Sequence, residues 1–442
     1  MKTYSFPRGG IFLEDATVPV PRGGSCAVAF LPALSLIPLV QYPGGRLTPL
    51  VSVGDSVREG MLVGMGGEGG ASNVHATVPG RVVRHAEWED GEGRERGGLL
   101  IQMEGSFDRL GATEEGYAPE LPPDLMSHRE LAETLDRCGI VEMEGSGRPL
   151  SRMISGFCLS DGPRTLVVRC VFDDPWLVAD RVLCGERLKA VVEGGFLLAG
   201  ACGGVGRVVF AVSRKDRKLG EAMLAEAAGY GIPSSMVLTG GKYPQRNRRE
   251  MEIVLRDYGR RTRADLGTFL MLGPSTLAAV HDAVKYRRPI LERYVAVGGS
   301  AVREPRVMRV RVGKRIGDLF EECGGFVGSP CRVVTGSPFF GEPVRYLDEP
   351  VTRTSYALVA MLAPQVGGHP VRGCISCGEC RKVCPVGLDP EEMYKMIKVT
   401  APDGGPRDHP GFRECHGCGC CQMVCPSRLP LPEEIRGQTP YA

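Results

Sequence analysis

The residues Cys374-Ile-Ser-Cys377-Gly-Glu-Cys380-Arg-Lys-Val-Cys384-Pro385 and Cys415-His-Gly-Cys418-Gly-Cys-Cys421-Gln-Met-Val-Cys425-Pro426 decide the fold of the C-terminal end of the chain. Both runs have the spacing C-x2-C-x2-C-x3-C-P, the bacterial pattern that holds cubane iron–sulfur clusters. Three cysteines at this spacing let a loop wrap one face of a cluster, and the proline then redirects the chain. The four cysteines of each segment are called the first and the second cysteine run below.

In proteins with two such runs, the fourth cysteine of each run ligates the cluster of the other run. The pattern therefore predicts two [4Fe–4S] clusters close enough together for electron transfer. The predicted ligands are Cys374, Cys377, Cys380 and Cys425 for cluster 1, and Cys415, Cys418, Cys421 and Cys384 for cluster 2.

Four cysteines with C-x2-C spacing also form structural zinc sites, which is the alternative interpretation of these runs. Zinc needs two pairs of cysteines, however, and not a repeated triplet followed by Cys-Pro. Cys420 is a ninth thiol outside the pattern, and we interpret it as a spare reduced cysteine.

Composition limits the class of protein. A length of 442 residues suggests about three domains, and a net charge of +2 argues against nucleic acid as the main partner. The polar start, Met1 to Gly10, is unlike a secretory signal, so we expect the 17 cysteines to be reduced in the cytoplasm. Outside the runs and Cys420, eight cysteines lack ligand spacing and are predicted to be mostly small buried residues: Cys26, Cys138, Cys158, Cys170, Cys184, Cys202, Cys323 and Cys331.

Neither apolar candidate for a membrane helix is suitable. The segment 26–40 is short and contains prolines, and the segment 190–212 is interrupted by Glu193, Arg207 and several glycines. If the protein acts at a membrane, we expect it to dock there peripherally.

The first 111 residues have short alternating strands and many glycines. Within them, Val51 to Gly60 and His75 to Val82 resemble the two halves of a biotinyl/lipoyl-type barrel-sandwich module. The intervening turn, Gly64 to Val74, contains no lysine, so we expect an architectural module and not a carrier. Residues 112–125 are rich in proline, glutamate and glycine and are predicted to form a linker.

The remainder completes a multidomain α+β chain. Helical patterns at 129–138, 181–198 and 218–230 alternate with apolar strands at 165–171, 205–212 and 235–238, which predicts a parallel-sheet α/β domain over residues 126–300. A strand at 307–312 and a helix at 316–323 suggest a β-grasp-like unit over 301–362. Residues 363–442 form the predicted two-cluster ferredoxin-like domain, which is mainly helical.

The whole chain resembles the RnfC family, the C subunits of Rnf-type ion-translocating electron-transport complexes, which is related to the NADH-binding subunit of respiratory complex I. The matching segments besides the cysteine runs are Phe6-Pro-Arg-Gly-Gly10, Lys242-Tyr-Pro-Gln245, Glu292-Arg-Tyr-Val-Ala-Val297, Cys323-Gly-Gly325 and Gly336-Ser-Pro-Phe-Phe-Gly341. The resemblance implies a peripheral electron-transfer subunit on the cytoplasmic side of the plasma membrane. Its partners would be the other subunits of the complex.

The resemblance also implies an FMN and NADH site in the α/β domain, opened by a G-x-G-G-x-G-F-P-T loop. Such loops need glycine because the backbone must approach the phosphates closely. The corresponding residues are Glu142-Met-Glu144-Gly145-Ser-Gly147-Arg148-Pro149-Leu150, so two glycines are replaced by glutamates. Carboxylates repel a phosphate by roughly 1 kcal/mol or more each.

Two more segments of the same expected pocket depart from the family pattern, namely Asp173-Asp174-Pro175 and Arg246-Asn-Arg-Arg249-Glu250. We therefore expect the NADH site to be lost or remodelled. If a flavin or nucleotide still binds, Gly145, Gly147 and Lys242 are its predicted contacts. The alternatives are that FMN binds without NADH, or that Arg148 binds the phosphate of a different ligand.

A basic stretch could dock an acidic ferredoxin or flavodoxin, although a solvated helix face is the simpler interpretation: Lys242, Arg246, Arg248, Arg249, Arg256, Arg260, Arg261 and Arg263. His416 could tune a cluster potential, or it could be a solvent-facing loop residue. No acid–base or nucleophilic constellation is found.

The sequence thus predicts a relay of electrons through two clusters to partner subunits. The rival hypotheses are an NADH dehydrogenase module with FMN, a soluble cobalamin-reducing relative and a zinc scaffold. The N-terminal barrel-sandwich module favours the membrane-complex subunit over the cobalamin-reducing relative.

Overall fold

The computed structural model describes residues 2–13, 24–39, 47–66, 71–91, 93–105, 126–339, 341–363, 371–399 and 410–437. The predicted linker 112–125 lies outside these ranges. The strands are β1 (Thr3–Tyr4), β2 (Ala27–Val28), β3 (Leu34–Pro38), β4 (Leu47–Pro49), β5 (Ser56–Val57), β6 (Leu62–Gly66), β7 (Val74–His75), β8 (Gly80–Glu89), β9 (Glu95–Met103), β10 (Arg164–Cys170), β11 (Val205–Ser213), β12 (Ser234–Thr239), β13 (Thr268–Leu272), β14 (Glu292–Gly298), β15 (Arg306–Arg311), β16 (Arg332–Thr335), β17 (Glu342–Pro343) and β18 (Ala357–Met361).

The helices are α1 (His128–Arg137), α2 (Leu150–Cys158), α3 (Val178–Glu186), α4 (Leu188–Cys202), α5 (Arg217–Ala227), α6 (Arg248–Thr262), α7 (Pro274–Tyr286), α8 (Ile316–Glu322), α9 (Glu379–Val383), α10 (Pro390–Val399), α11 (Pro410–Glu414), α12 (Cys420–Met423) and α13 (Leu431–Arg436). None of the helices in the described ranges is long and apolar enough to cross a membrane.

The N-terminal unit consists of two antiparallel sheets, ordered β3-β9-β8-β5 and β4-β6-β7. Alternating residues such as Val82, Leu99 and Ile101 are fully buried between them, as expected for strands with one face in a core. Strands β6 and β7 are the antiparallel pair on either side of the lysine-free turn.

The α/β unit is built on a five-stranded sheet, ordered β1-β12-β11-β10-β13, in which every pairing is parallel. One face packs on α4, α5 and α7, and the other packs on α6. Gly194 allows α4 and α7 to approach closely, because a Cβ at this position would overlap the Leu277 carbonyl. The helix predicted over 181–198 is divided into α3 and α4 at Arg187, whose backbone leaves the helical region at φ −126° and ψ 33°.

A mixed six-stranded sheet follows, ordered β17-β16-β18-β14-β15-β2. One face of this sheet packs against α8, and side chains of the other face belong to the core of the α/β unit. The first strands of the chain therefore do not belong to the N-terminal barrel. Strand β1 pairs with β12, and β2 pairs with β15. The domain boundaries predicted from the sequence stay predictions.

The C-terminal unit contains α9 to α13 and no strand within its described residues. Its small core joins the two cysteine runs, since Cys380 and Cys421 are buried together with Met393, Phe412 and Leu431. Of the eight cysteines outside the pattern, Cys138, Cys170, Cys184, Cys202 and Cys323 are buried, which confirms the prediction for most of them.

Candidate metal centres and nucleotide loop

The structure brings Cys374, Cys377 and Cys380 together with Cys425 of the second run. These four cysteines line one cavity. Apolar side chains close the cavity, among them Leu429, which is 3% exposed. The fourth cysteine of the first run, Cys384, is not part of this lining.

Cys384 lies instead with the second run. The pKa of the Cys415 thiol is raised by burial and then by the neighbouring thiolates of Cys418 and Cys384. Burial also raises the pKa of Cys421, and Cys418, Cys415, Cys384 and, least, Cys380 of the first set raise it further. The four sulfur groups of the predicted second set are therefore close enough to act on each other electrostatically.

Glycine conformations place the third cysteine of each run on a helix. Gly378 follows Cys377 with φ +72°, and Gly419 follows Cys418 with φ +80°. Both residues are in the left-handed region that glycine adopts without steric cost, and α9 or α12 begins directly after them. The two loops have the same local geometry for this reason.

The donor set fits an iron–sulfur cluster in chemical type. No three His, Cys, Asp or Glu side chains in the described ranges lie close enough together to hold a single metal ion. A cluster with four irons is larger than one ion, so its cysteines surround a space and need not meet at one point. The backbone N–H of Leu388 donates to the Sγ of Cys384 at 3.2 Å, a type of bond that tunes cluster potentials.

Three of the segments that carry the resemblance surround the second set. The N–H of Gly10 donates to the Val383 carbonyl at 2.8 Å, directly before Cys384. The Tyr243 hydroxyl donates to the Cys418 carbonyl at 2.7 Å, and the Tyr243 and Phe339 rings lie 6.0 Å apart. The second set is thus held against the α/β unit.

The glycine-rich loop of the family is replaced by a loop with its own internal bonds. The Glu142 carboxylate accepts bonds from the backbone N–H and hydroxyl of Ser146 at 2.6 and 2.9 Å. It also lies 3.6 Å from Arg169. Gly145 is exposed and Gly147 is buried with φ +64°, while Arg148 points to the exposed side.

Glu144 occupies the N-terminus of α7. Its carboxylate accepts the backbone N–H of Thr276 at 2.9 Å and the hydroxyl of Thr276 at 2.5 Å. It also lies over Gly273, the residue before the helix, where a Cβ would overlap it. Helix N-termini are natural sites for phosphate, so a carboxylate of this chain takes the position that an external anion would need.

Glu144 is 6% exposed, and burial raises the pKa of its carboxyl group. The charges of Asp180 and Glu142 raise this pKa further, and the buried Arg293 lowers it. Burial and the neighbouring carboxylates thus disfavour the charged form of Glu144, whereas Arg293 and the hydrogen bond from Thr276 favour it.

Arg246 joins the three segments that depart from the family pattern. Its N–H donates to Asp173 at 3.0 Å, and its guanidinium donates to the Glu144 carbonyl at 3.2 Å. Its own carbonyl accepts a bond from Arg169 at 3.1 Å. Burial raises the pKa of Asp173 to about 6. The three segments are thus bonded to one another where they meet.

Lys242 packs on a different part of the chain from this network. Its Nζ lies over the Phe6 ring at 4.1 Å, and partial burial lowers its pKa. The structure therefore brings the loop 142–147 to Arg246, and it places Lys242 on the N-terminal segment.

The basic stretch is divided by the fold. Arg246 faces inward, Arg249 lies 3.7 Å from Glu414, and Arg248 pairs with Glu252 on α6. His416 is partly buried, 3.7 Å from the carboxylate of Glu250, and burial lowers its pKa. The thiol of Cys420 is fully buried, and its pKa is raised by its hydrogen bond with Cys418.

Comparison with known proteins places the chain in a family. The model of the "RnfC Barrel sandwich hybrid domain" matches residues 14–105. The C subunit of the ion-translocating oxidoreductase complex of Rhodobacter capsulatus is 30% identical over 374 residues, which cover 83% of this chain and 70% of the relative. The chain belongs to the RnfC family. It is an electron-transfer subunit of an Rnf-type complex, as the resemblance implied.

Two relatives within the RnfC family carry more specific names. The C subunit of the proton-translocating ferredoxin:NAD(+) oxidoreductase complex of Clostridium ljungdahlii is 26% identical over 87% of this chain and 83% of the relative. The C subunit of the Na(+)-translocating ferredoxin:NAD(+) oxidoreductase complex of Acetobacterium woodii is 26% identical over 87% of this chain and 85% of the relative. A solved structure of an NAD+-reducing [NiFe]-hydrogenase aligns with 63% of this chain and 56% of its own at 16% identity and a TM-score of 0.45.

The sequence reasoning missed several contacts of this RnfC-family chain. It did not find the bond from Tyr243 to the second cysteine run or the capping of α7 by Glu144. The segments that resemble the family were a usable signal for the first contact, because three of them converge on one cysteine set. No local signal connects Glu144 with Thr276, which is 132 residues away.

Proposed function

We propose that this protein relays electrons through two [4Fe–4S] clusters bound by the crossed cysteine sets. Cluster 1 would be held by Cys374, Cys377, Cys380 and Cys425, and cluster 2 by Cys415, Cys418, Cys421 and Cys384. The observation that carries the proposal is that Cys425 lines the cavity of the first run while Cys384 does not. The charge interactions of Cys384 with Cys415 and Cys421 support the second set.

The clusters supply the redox chemistry, and the chain holds and shields them. Cys380 and Cys421 share one small core, which supports a short distance between the two clusters. Cluster 2 would face the α/β unit. Exposed Val371 lies just before the first run and exposed Ile375 lies inside it, and both suit contact with a partner subunit. The proposed route therefore leads from the α/β side through cluster 2 and cluster 1 to that partner.

We further propose that NADH does not deliver the electrons directly. The Glu144 carboxylate accepts a backbone hydrogen bond at the N-terminus of α7, and the Arg246 guanidinium lies against the Glu144 carbonyl. FMN retained without NADH is the second candidate, because Gly145 is exposed and open to a ligand. A ferredoxin or flavodoxin docking at α6, where Arg260 and Arg261 are solvent-exposed, would then be the donor. The protein would sit on the cytoplasmic side of the membrane.

The test is spectroscopic, on protein purified without oxygen and reconstituted with iron, sulfide and FMN. We expect about eight irons per chain, and cluster absorbance that dithionite bleaches and NADH does not. Bleaching by NADH would establish the dehydrogenase hypothesis, and zinc without iron would establish the scaffold.

Single variants test the crossed ligation. Cys384→Ser and Cys415→Ser should remove the same electron paramagnetic resonance signal, and Cys425→Ser should remove the other one. Cys331→Ser, at an exposed cysteine outside both runs, is the matched control and should keep both signals. Loss of the same signal in Cys384→Ser and Cys374→Ser would refute the crossed arrangement.

A further inference from the structure

A cavity of about 430 Å³ is lined by residues of α3, α7, β14 and β15 and by the segment 288–291 before β14. Its size falls within the range of roughly 300–1,000 Å³ that small-molecule sites have. Ala278 and Ala279 of α7 leave the space open because their side chains are short. Partly exposed Tyr286, whose ring packs edge-to-face with His281 at 5.6 Å, also lines the cavity, and no cysteine of either set is among the lining residues.

The lining of the cavity has a surplus of positive charge. It contains four arginines, at positions 187, 288, 293 and 309, against two carboxylates, at 282 and 292. Arg187 and Asp282 neutralise each other through two hydrogen bonds of 2.6 and 3.0 Å. The other pairs are much looser.

Glu292 is the carboxylate that the remaining exposed arginines share. Arg288 lies 3.9 Å from it and Arg309 3.6 Å, while Arg311 from outside the cavity lies at 3.5 Å. Arg311 is held by Glu59 at 2.8 Å, so Glu292 remains shared between Arg288 and Arg309, at distances too long for a close pair with either. Deeper in the cavity, the fully buried Arg293 donates to the Met143 carbonyl at 3.1 Å, and its Nη1 is 3.8 Å from Asp180.

We propose that this cavity binds a small anion of the nucleoside monophosphate class, with its phosphate on Arg288 and Arg309 and its ring against Tyr286. A phosphate monoester carries nearly two negative charges at neutral pH, and it would complement Arg288 and Arg309, which share the one carboxylate of Glu292 at 3.9 and 3.6 Å. The planar guanidinium pairs with phosphate through two bonds at once, and tyrosine stacks on flat rings. The site does not depend on the electron-transfer proposal.

The experiment is a calorimetric titration of the full chain with adenosine 5′-monophosphate. We expect saturable binding of one ligand per chain, at least tenfold weaker in Arg309→Ala, because this arginine would donate charge-assisted bonds to the phosphate. Arg129→Ala is the matched control, since Arg129 lies on α1 with 84% of its side chain exposed. Adenosine, which lacks the phosphate, should bind at least tenfold more weakly.

A second pair of variants fills the cavity without changing its charge. Ala279→Trp should abolish binding, and Ala278→Leu serves if the larger side chain prevents folding, as checked by thermal unfolding. The proposal is overturned if the wild-type chain gives no saturable heat at millimolar nucleotide. It is also overturned if adenosine binds as tightly as the monophosphate, or if the filled variants bind unchanged.

Discussion

The position of the Glu144 carboxylate at the N-terminus of α7 allows a specific prediction, because it replaces an anion that would otherwise have to come from outside the chain. Glu144→Ala removes the acceptor of two bonds from Thr276, at 2.9 and 2.5 Å, and leaves the N-terminus of α7 uncapped. A charge-assisted hydrogen bond contributes about 1.5–3 kcal/mol, and a lost cap about 1 kcal/mol. Because burial raises the pKa of this carboxyl group, part of that gain is already offset. We expect a net loss of about 2–4 kcal/mol in the local stability of α7.

The assay is hydrogen exchange of the α7 amides, which reports local opening in a chain with several domains. Glu144→Gln is the matched control, since it keeps an acceptor of the same length, and it should lose less than about 1.5 kcal/mol. Inorganic phosphate should raise the local stability of α7 in the alanine variant by about 1.4 kcal/mol when its concentration is ten times the dissociation constant of phosphate. It should leave the stability of the wild type unchanged. Equal protection in the alanine and glutamine variants, or no rescue by phosphate, would refute the reasoning.

Three further perturbations test the surroundings of the second cysteine run and the buried charges. Tyr243→Phe removes a hydroxyl bond of 2.7 Å, so we expect a loss of about 1 kcal/mol and an altered resonance signal of cluster 2 at unchanged iron content. In Gly9→Ala, at φ +60°, the new Cβ would overlap the Cys384 carbonyl, so iron bound at cluster 2 should decrease; Gly24→Ala, with open space around it, should keep its iron. Asp173 holds its proton up to pH about 6 when folded and to about 4 when unfolded, so its contribution to stability is present below pH 4 and is lost as the pH rises to 6. The free energy of unfolding in urea should therefore fall by up to about 3 kcal/mol between pH 4 and 6 in the wild type because of Asp173, and this part of the fall should be absent in Asp173→Asn. An identical pH profile of the two proteins would contradict the assignment.

The sequence allowed prediction of those parts of the fold that depend on local patterns. The cysteine spacing predicts the two loops, and the alternation of apolar strands with helical segments predicts the parallel sheet that β10, β11 and β12 form. Strands β1 and β2 have two residues each and no periodicity, so their pairing with distant strands could not be predicted. The break between α3 and α4 depends on Arg187, which binds Asp282 on another helix, 95 residues away.

The candidate site shows the same division between local and distant causes. The replacement of two glycines by glutamates could be identified from the sequence, and it predicts repulsion of a phosphate. That Glu144 itself serves as the anion of α7 depends on Thr276, and only the folded chain brings the two together. From the sequence, the glutamate at position 144 indicates loss of a nucleotide site. In the structure, the same residue makes a new internal contact with Thr276.

The proposed loss of nucleotide chemistry would not make the α/β unit dispensable, because this unit also supports the second cysteine set. The N-terminal segment enters its sheet as β1 and then reaches the Val383 carbonyl through Gly10. The loop after β12 provides Tyr243, which is 4% exposed and binds the Cys418 carbonyl. Without the unit, both carbonyls and the apolar surface around Tyr243 would be exposed to water, and water near a cluster changes its potential. The α/β unit would therefore shape the electrostatic environment of the proposed cluster 2, whether or not it binds a nucleotide.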